Sequence, residues 1–403
     1  MLNHKDTYRS IQKWILSLIG IAVLVGSTSA LFLYMLSWVT DYREGHFWLF
    51  GLLPFVGVFI VWIYRSYGAN VQGGNLLILA EYRNPKTVLP LRMAPLIFFS
   101  TLLTHLFGGS AGREGTAIQY GASLADQFNR FFKFDTADRK ILLQCGIAAG
   151  FASLFGTPWA GYLFALEIVG WKAKRWQAWV LVLLSSLLAA WVCSLYGNQH
   201  TLYPTLMDIP KLGFMPLLWV ALAALCFGLT ARAFVLLNQG LKKAFGWIKQ
   251  PLVRPFIGGL IIVAWVYFSG TTRHIGLGIP TLVASFDSAL EPYDFAIKIL
   301  LTAITLCAGF KGGEVTPLFF IGATLGNALF LFIPLPLALL AAMGLVAVFS
   351  GCTKTPIACT IMGIELFGGE AFIWFAIACF ISYAVAGKHG IYTEEEPVQP
   401  LNK

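Results

Sequence analysis

The chain has 403 residues, of which 58% are hydrophobic and only 12% charged, with a mean hydropathy of +0.73. A soluble domain carries about 25% charged residues, so this composition excludes a soluble core. It implies that lipid and neighbouring helices share the apolar faces. The net charge of +9 is no nucleic-acid signal, because Lys and Arg collect in short polar gaps: Lys5, Arg9 and Lys13; Arg130, Lys133, Arg139 and Lys140; Lys172, Lys174 and Arg175; Lys242, Lys243 and Lys249. That is the distribution of cytoplasmic loops under the positive-inside rule, and it places the N-terminus and these loops in the cytoplasm.

In chain order, residues 14–39 form the first long apolar stretch. No small-residue cleavage site leads from it into a soluble region, so it reads as a membrane helix and not a cleaved signal. Residues 48–66, 177–196 and 214–238 are further full spans. Between and beyond them lie shorter pieces broken by Gly or Pro, near 75–82, 115–126, 147–156, 159–170, 316–331 and 357–367. Broken helices at membrane depth are tolerated where they line a polar cavity or are buried in protein. In transporters they point to an ion site near the midplane. No polar linker divides the chain. The expectation is an all-α, polytopic membrane protein of full and broken helices, one domain over 1–403. Lys403 follows soon after the last apolar run, which leaves no room for a cytoplasmic regulatory domain.

An internal repeat sharpens this reading. Thr157-Pro158 is followed by Glu167, nine residues after the proline, and Thr355-Pro356 by Glu365, again nine after it. Gly112-Arg113-Glu114-Gly115-Thr116 has a counterpart in Gly313-Glu314-Val315-Thr316-Pro317, and Gly121-Ala122-Ser123-Leu124 echoes Gly322-Ala323-Thr324-Leu325. Glu114 and Glu167 are 53 residues apart, Glu314 and Glu365 51. The ordered set predicts two halves of inverted topology, roughly 14–195 and 214–392, meeting at a central site with Glu114 and Glu314 near the midplane.

Three glycine-rich segments open apolar pieces: Gly73-Gly74-Asn75, Gly108 to Thr116, and Gly309 to Pro317. Glycine lets backbone approach a ligand. The first N–H groups of a helix lack intrahelical partners and carry the positive end of the dipole. Several such ends aimed at one point bind an anion. Glu114 and Glu314 lie in these segments, and a carboxylate at membrane depth marks an ion or proton path. Ionised, it fills the site as a tethered anion; protonated, it lets go and carries the proton. The other reading of each is a helix cap. Glu167 and Glu365 come late in their apolar runs and read as structural. The seven cysteines, Cys145, Cys193, Cys226, Cys307, Cys352, Cys359 and Cys379, show no CxxC spacing and read as buried thiols. No His cluster suggests a metal, and no cofactor is expected.

These residues resemble the CLC anion channels and transporters. The likeness runs from about Gly73 to Tyr392 and rests on Gly112-Arg113-Glu114-Gly115-Thr116, on Gly-Thr-Pro ahead of Ala-Gly-Tyr-Leu-Phe-Ala-Leu-Glu, and on Gly-Gly-Glu-Val-Thr-Pro. The departures are similar to the CLC-F fluoride/proton antiporters. Gly74-Asn75-Leu76 stands where most relatives have Gly-Ser-Gly-Ile-Pro. The second signature ends in Thr116 instead of proline, and the third reads Gly313-Glu314-Val315-Thr316-Pro317. Chloride exchangers use an adjacent Glu-Glu pair, whereas Ile168 follows Glu167 here.

The resemblance implies a CLC fold and a homodimer with one pathway per subunit, embedded in the lipid bilayer of a bacterial inner membrane and moving fluoride against protons. It makes Glu114 the gating glutamate and Glu314 the second essential carboxylate. Asn75 bears on selectivity, Thr316 supplies a hydroxyl, and Tyr392 closes the inner side. Gly74, Gly112 and Val315 complete the anion-binding set. Fluoride is small and strongly hydrated, so its site must replace water with good donors. The alternatives are a chloride channel or chloride/proton exchanger of the same family, a membrane hydrolase built on Glu114 or Ser110, and a fluoride sensor. The hydrolase lacks a His partner in register, and the sensor lacks an output domain.

Overall fold

The computed structural model describes residues 4–171, 176–197 and 200–393. Lys172, Lys174 and Arg175 of the basic gaps lie outside them. The described residues form sixteen α-helices and no strand. The first eight are α1 His4–Gly45, α2 Leu53–Tyr67, α3 Asn75–Arg83, α4 Met93–Leu106, α5 Glu114–Phe132, α6 Thr136–Phe155, α7 Pro158–Glu167 and α8 Trp176–Ser194. The second eight are α9 Phe214–Gly246, α10 Val253–Ser269, α11 Ile279–Ala284, α12 Asp294–Ala308, α13 Val315–Leu329, α14 Leu337–Thr353, α15 Pro356–Phe367 and α16 Phe372–Val385.

Four segments, 11–45, 47–67, 176–194 and 214–246, are long and apolar enough to cross a membrane. They correspond to the four full spans expected. The short pieces correspond to α3, α5, α7, α13, α15 and the end of α6.

Two expectations are corrected. The piece at 147–156 is the last half of a 20-residue helix. Its first turns looked like loop because they carry Asp138, Arg139 and Lys140. Asp135 caps them by accepting from Asp138 N–H at 2.7 Å. Arg139 is therefore no solvated loop cation. It is buried, with Nε and Nη2 each 2.8 Å from Asp126 and Nη1 3.2 Å from Glu81. Likewise Lys242 and Lys243 belong to the end of α9. Among the cysteines, Cys226 and Cys307 are half-buried while the other five are buried, and all seven are free.

The halves are related by inversion. A shift of 201 residues takes Gly112 to Gly313, Gly121 to Gly322 and Asp126 to Asn327; a shift of 198 takes Gly146 to Gly344 and Pro158 to Pro356. The same pairs of helices pack in each half: α5 on α6 and α13 on α14, α1 on α8 and α9 on α16, α4 on α5 and α12 on α13.

Inversion follows from two reciprocal contacts. Glu167, at the end of α7, accepts from the N–H groups of Ile357 (3.1 Å) and Ala358 (2.8 Å) at the start of α15. Glu365, near the end of α15, accepts from those of Trp159 (3.0 Å) and Ala160 (2.8 Å) at the start of α7. The two helices therefore run antiparallel. Both open on Thr-Pro, whose threonines make no side-chain cap. The first N–H groups would otherwise be orphans at a positive helix end. The structural reading of Glu167 and Glu365 is the one this geometry carries.

Where α5 crosses α6 and α13 crosses α14, a Cβ on Gly121, Gly146, Gly322 or Gly344 would strike the partner glycine's carbonyl oxygen. Backbone touches backbone at both crossings, which is the packing small residues allow within membranes.

Candidate functional site

Three helices begin together at the centre of the molecule. Gly112 and Gly313 form an antiparallel bridge, each N–H donating to the other's carbonyl at 2.6 and 2.8 Å. The bridge sets the start of α5 beside the start of α13. A methyl group built on Gly115 would lie 3.0 Å from Gly313 Cα and 3.1 Å from Asn75 Nδ2, so the start of α3 joins them. Gly74 takes φ +54, a left-handed turn that glycine adopts without a Cβ penalty. A Cβ there would sit 3.3 Å from Gln119 Nε2.

The Glu114 side chain is fully buried. It reaches across the repeat boundary to the first turn of α13. Oε2 accepts from the Thr316 N–H at 3.0 Å and from the Arg113 N–H at 3.0 Å, and Oε1 accepts from the Thr316 hydroxyl. The Arg113 guanidinium lies 3.5 Å from Oε1. Thr116, on the same helix as Glu114, shares a hydrogen bond with Thr101 at 2.7 Å.

Alongside runs a cavity of about 530 Å³, lined by Gly74, Asn75, Gln119, Lys242, Lys311, Glu314 and Tyr392 among others. The Asn75 amide oxygen and the Tyr392 hydroxyl are buried without a protein partner. A buried polar atom left unpaired costs about 1–3 kcal/mol; the Tyr392 hydroxyl can donate to an anion or water, whereas the Asn75 oxygen can only accept, as from water. Tyr392 is held by its neighbours: Ile391 N–H donates to Cys352 O at 2.8 Å, and the ring packs edge-on to Phe164.

The structure thus gathers Glu114, Thr316, Val315, Gly112, Gly74, Asn75, Glu314 and Tyr392 into one region. Two do something other than expected. The N–H of Gly112 is used in the bridge to Gly313, and that of Gly74 donates to Val71 O at 3.2 Å. These glycines build the frame and offer no free donor. Fully buried Val315 opens α13. The two carboxylates are also not repeat mates. The shift that superposes the glycine bridge takes Arg113 to Glu314 and Glu114 to Val315.

Sequence reasoning missed Gln119 and Lys311. Gln119 is four residues beyond Gly115, hence on the same helix face. Lys311 stands inside the third glycine-rich segment.

The sequence profile of the voltage-gated chloride channel family matches residues 56–387. The chain belongs to this family. A chloride/fluoride channel protein of Pseudomonas syringae pv. tomato is 43% identical over 398 residues, covering 96% of this chain and 87% of that protein. A solved CLC-type fluoride/proton antiporter is 33% identical, covers 97% of this chain and 98% of its own, and superposes with a TM-score of 0.91. A slow cyanobacterial Cl−/H+ antiporter reaches a TM-score of 0.83 at 19% identity, covering 93% and 94%, and bears on the fold alone. The multi-pass CLC architecture accounts for the inverted repeats and for the exposed apolar faces of α1, α8 and α9, where Leu31, Trp191 and Leu229 point outward.

Proposed function

We propose that the chain exchanges fluoride for protons, exporting the anion as protons enter. One observation carries this reading: the Glu114 carboxylate is seated on the N–H and hydroxyl of Thr316, where the starts of α5 and α13 meet. A seat that holds a carboxylate on fixed donors suits a free anion equally. Hydrogen bonds to an ionised acceptor are about twice as strong as neutral ones. Protonation of Glu114 therefore loosens it from Thr316, and an anion arriving through the cavity takes its place. When that anion leaves, Glu114 returns and its proton is surrendered.

The Tyr392 hydroxyl and the NH2 group of the Asn75 amide, not its oxygen, are the donors near the seat that suit fluoride, an ion that must be compensated for a tightly held water shell. Glu314, at the cavity wall, serves as the second proton-handling carboxylate, since Ile168 follows Glu167. The 43% and 33% identical relatives, named for fluoride, support the choice of ion; the first is named for chloride as well. The further reading is a homodimer with one pathway per subunit in a bacterial inner membrane, N-terminus in the cytoplasm. The family resemblance supports the dimer. The basic gaps support the orientation, as does Lys13, whose ammonium bonds Phe132 O at 3.0 Å beside the α5–α6 turn.

Purified protein in liposomes, followed with fluoride- and chloride-selective electrodes, tests the ion. Fluoride release far faster than chloride release is expected; equal rates would overturn the fluoride assignment.

A further inference from the structure

A second cavity, of about 300 Å³, adjoins the first between α2 and the start of α10. The two share Gln72, Arg254, Cys307, Gly309 and Lys311 in their walls. The charged residues lining the side cavity are Arg65, Arg254 and Lys311, all cationic. Arg254 is tied to the wall by donating to the carbonyls of Ile248 (3.0 Å) and Gly246 (3.4 Å).

Lys311 differs. Its ammonium lies 4.2 Å from the centroid of the Tyr64 ring. The ring face attracts the charge but does not meet its three N–H donors as a carboxylate would. No carboxylate pairs with it among the described residues. Its repeat counterpart, 201 residues earlier, is Ser110, whose hydroxyl is used on His274 O and Thr302. The cation belongs to one side of the molecule only.

We infer that Lys311 is the centre of a second anion site, where fluoride is captured in the side cavity before it passes to the Glu114 seat. A cavity lined by charges of one sign concentrates the opposite ion and speeds its entry. An ammonium with donors to spare is matched to fluoride, a strong hydrogen-bond acceptor. The inference rests on the fluoride reading above.

The test compares wild type, Lys311→Met and Lys311→Arg in liposomes, measuring fluoride flux against fluoride concentration together with proton uptake. Methionine keeps the apolar stem against Tyr64 and removes the ammonium. Lys311→Met is expected to raise the half-saturating fluoride concentration roughly tenfold while the proton-to-fluoride ratio holds, and Lys311→Arg to restore the half-saturation. Lys311→Gln takes the place of methionine if that variant does not elute as wild type on size exclusion. An unchanged half-saturation makes Lys311 a strut on Tyr64, and an altered proton ratio alone makes it a proton relay; either overturns the site. A wild type that moves no fluoride overturns the transport reading and this inference together, whereas active wild type with unaltered variants overturns this inference alone.

Discussion

In the first repeat Arg113 precedes α5 and Glu114 opens it; in the second, Glu314 precedes α13 and Val315 opens it. The backbones agree, with φ −117 and ψ −20 at Arg113 against φ −95 and ψ −19 at Glu314. The side chains do not. Arg113 turns to Thr201, 3.5 Å away, while Glu314 lines the cavity that also holds Lys242 and Tyr392. One position, duplicated and inverted, carries a cation in one repeat and a carboxylate in the other. The loops that hold the site differ in the same sense. Asp126 accepts from Leu89 N–H at 2.7 Å and pairs with buried Arg139. Its counterpart Asn327 accepts from Leu290 N–H at 3.1 Å and donates to Ser285 and Ser288 carbonyls. A charged anchor and a neutral one do the same geometric task. The frame is therefore duplicated, and the two halves differ in the side chains set on it.

The strongest way to break this comparison is at the carboxylates. Glu114→Gln should lose fluoride-driven proton uptake outright, because glutamine keeps the shape but cannot ionise. Glu314→Gln should stop turnover while size exclusion shows a folded protein. Full coupling in Glu314→Gln would make it a structural residue and return the proton path to the first repeat alone.

The anchors come next. Arg139→Met leaves Asp126 and Glu81 buried without their cation and should cost about 3–5 kcal/mol. Asn327→Leu loses neutral hydrogen bonds and should cost about 1–3 kcal/mol. Unfolding midpoints in detergent would rank them; the reverse order would contradict the charged-versus-neutral account.

Thr316→Val removes a hydroxyl from a charged acceptor, worth about 1.5–3 kcal/mol. Fluoride half-saturation should rise roughly tenfold or more, and a variant with wild-type affinity would leave the backbone N–H as the seat. Smallest are the reciprocal caps. Glu167→Gln and Glu365→Gln should each destabilise by about 1 kcal/mol and equally, since each carboxylate meets two N–H groups of the opposite helix. A clear inequality would carry the asymmetry of the repeats into the caps.

Much of this was legible because lipid imposes its own grammar. The four full spans stand out as apolar runs of sufficient length, and the three central helix starts announce themselves by glycine. What stayed hidden are the charges satisfied at long range. The start of α6 reads as loop until Arg139 is seen to meet Asp126 and Glu81. Helix α12 carries Lys298, fully buried, whose ammonium donates to the carbonyls of His274 (3.0 Å) and Gly276 (2.8 Å). No spacing rule connects Glu114 to Thr316, 202 residues away. The repeat could be seen in sequence, but pairing glutamate with glutamate hid the register; the glycine bridge supplies it.

The glycine crossings have a mechanical consequence. With Gly121 on Gly146 and Gly322 on Gly344, neither helix pair can close further, and sliding would drive larger neighbours into a backbone. At these two crossings the helices already touch backbone to backbone. In the exchange proposed above, alternation then falls to a part of short travel, the four-bond Glu114 side chain seated on Thr316. A machine of this kind has its throw set by the length of a glutamate.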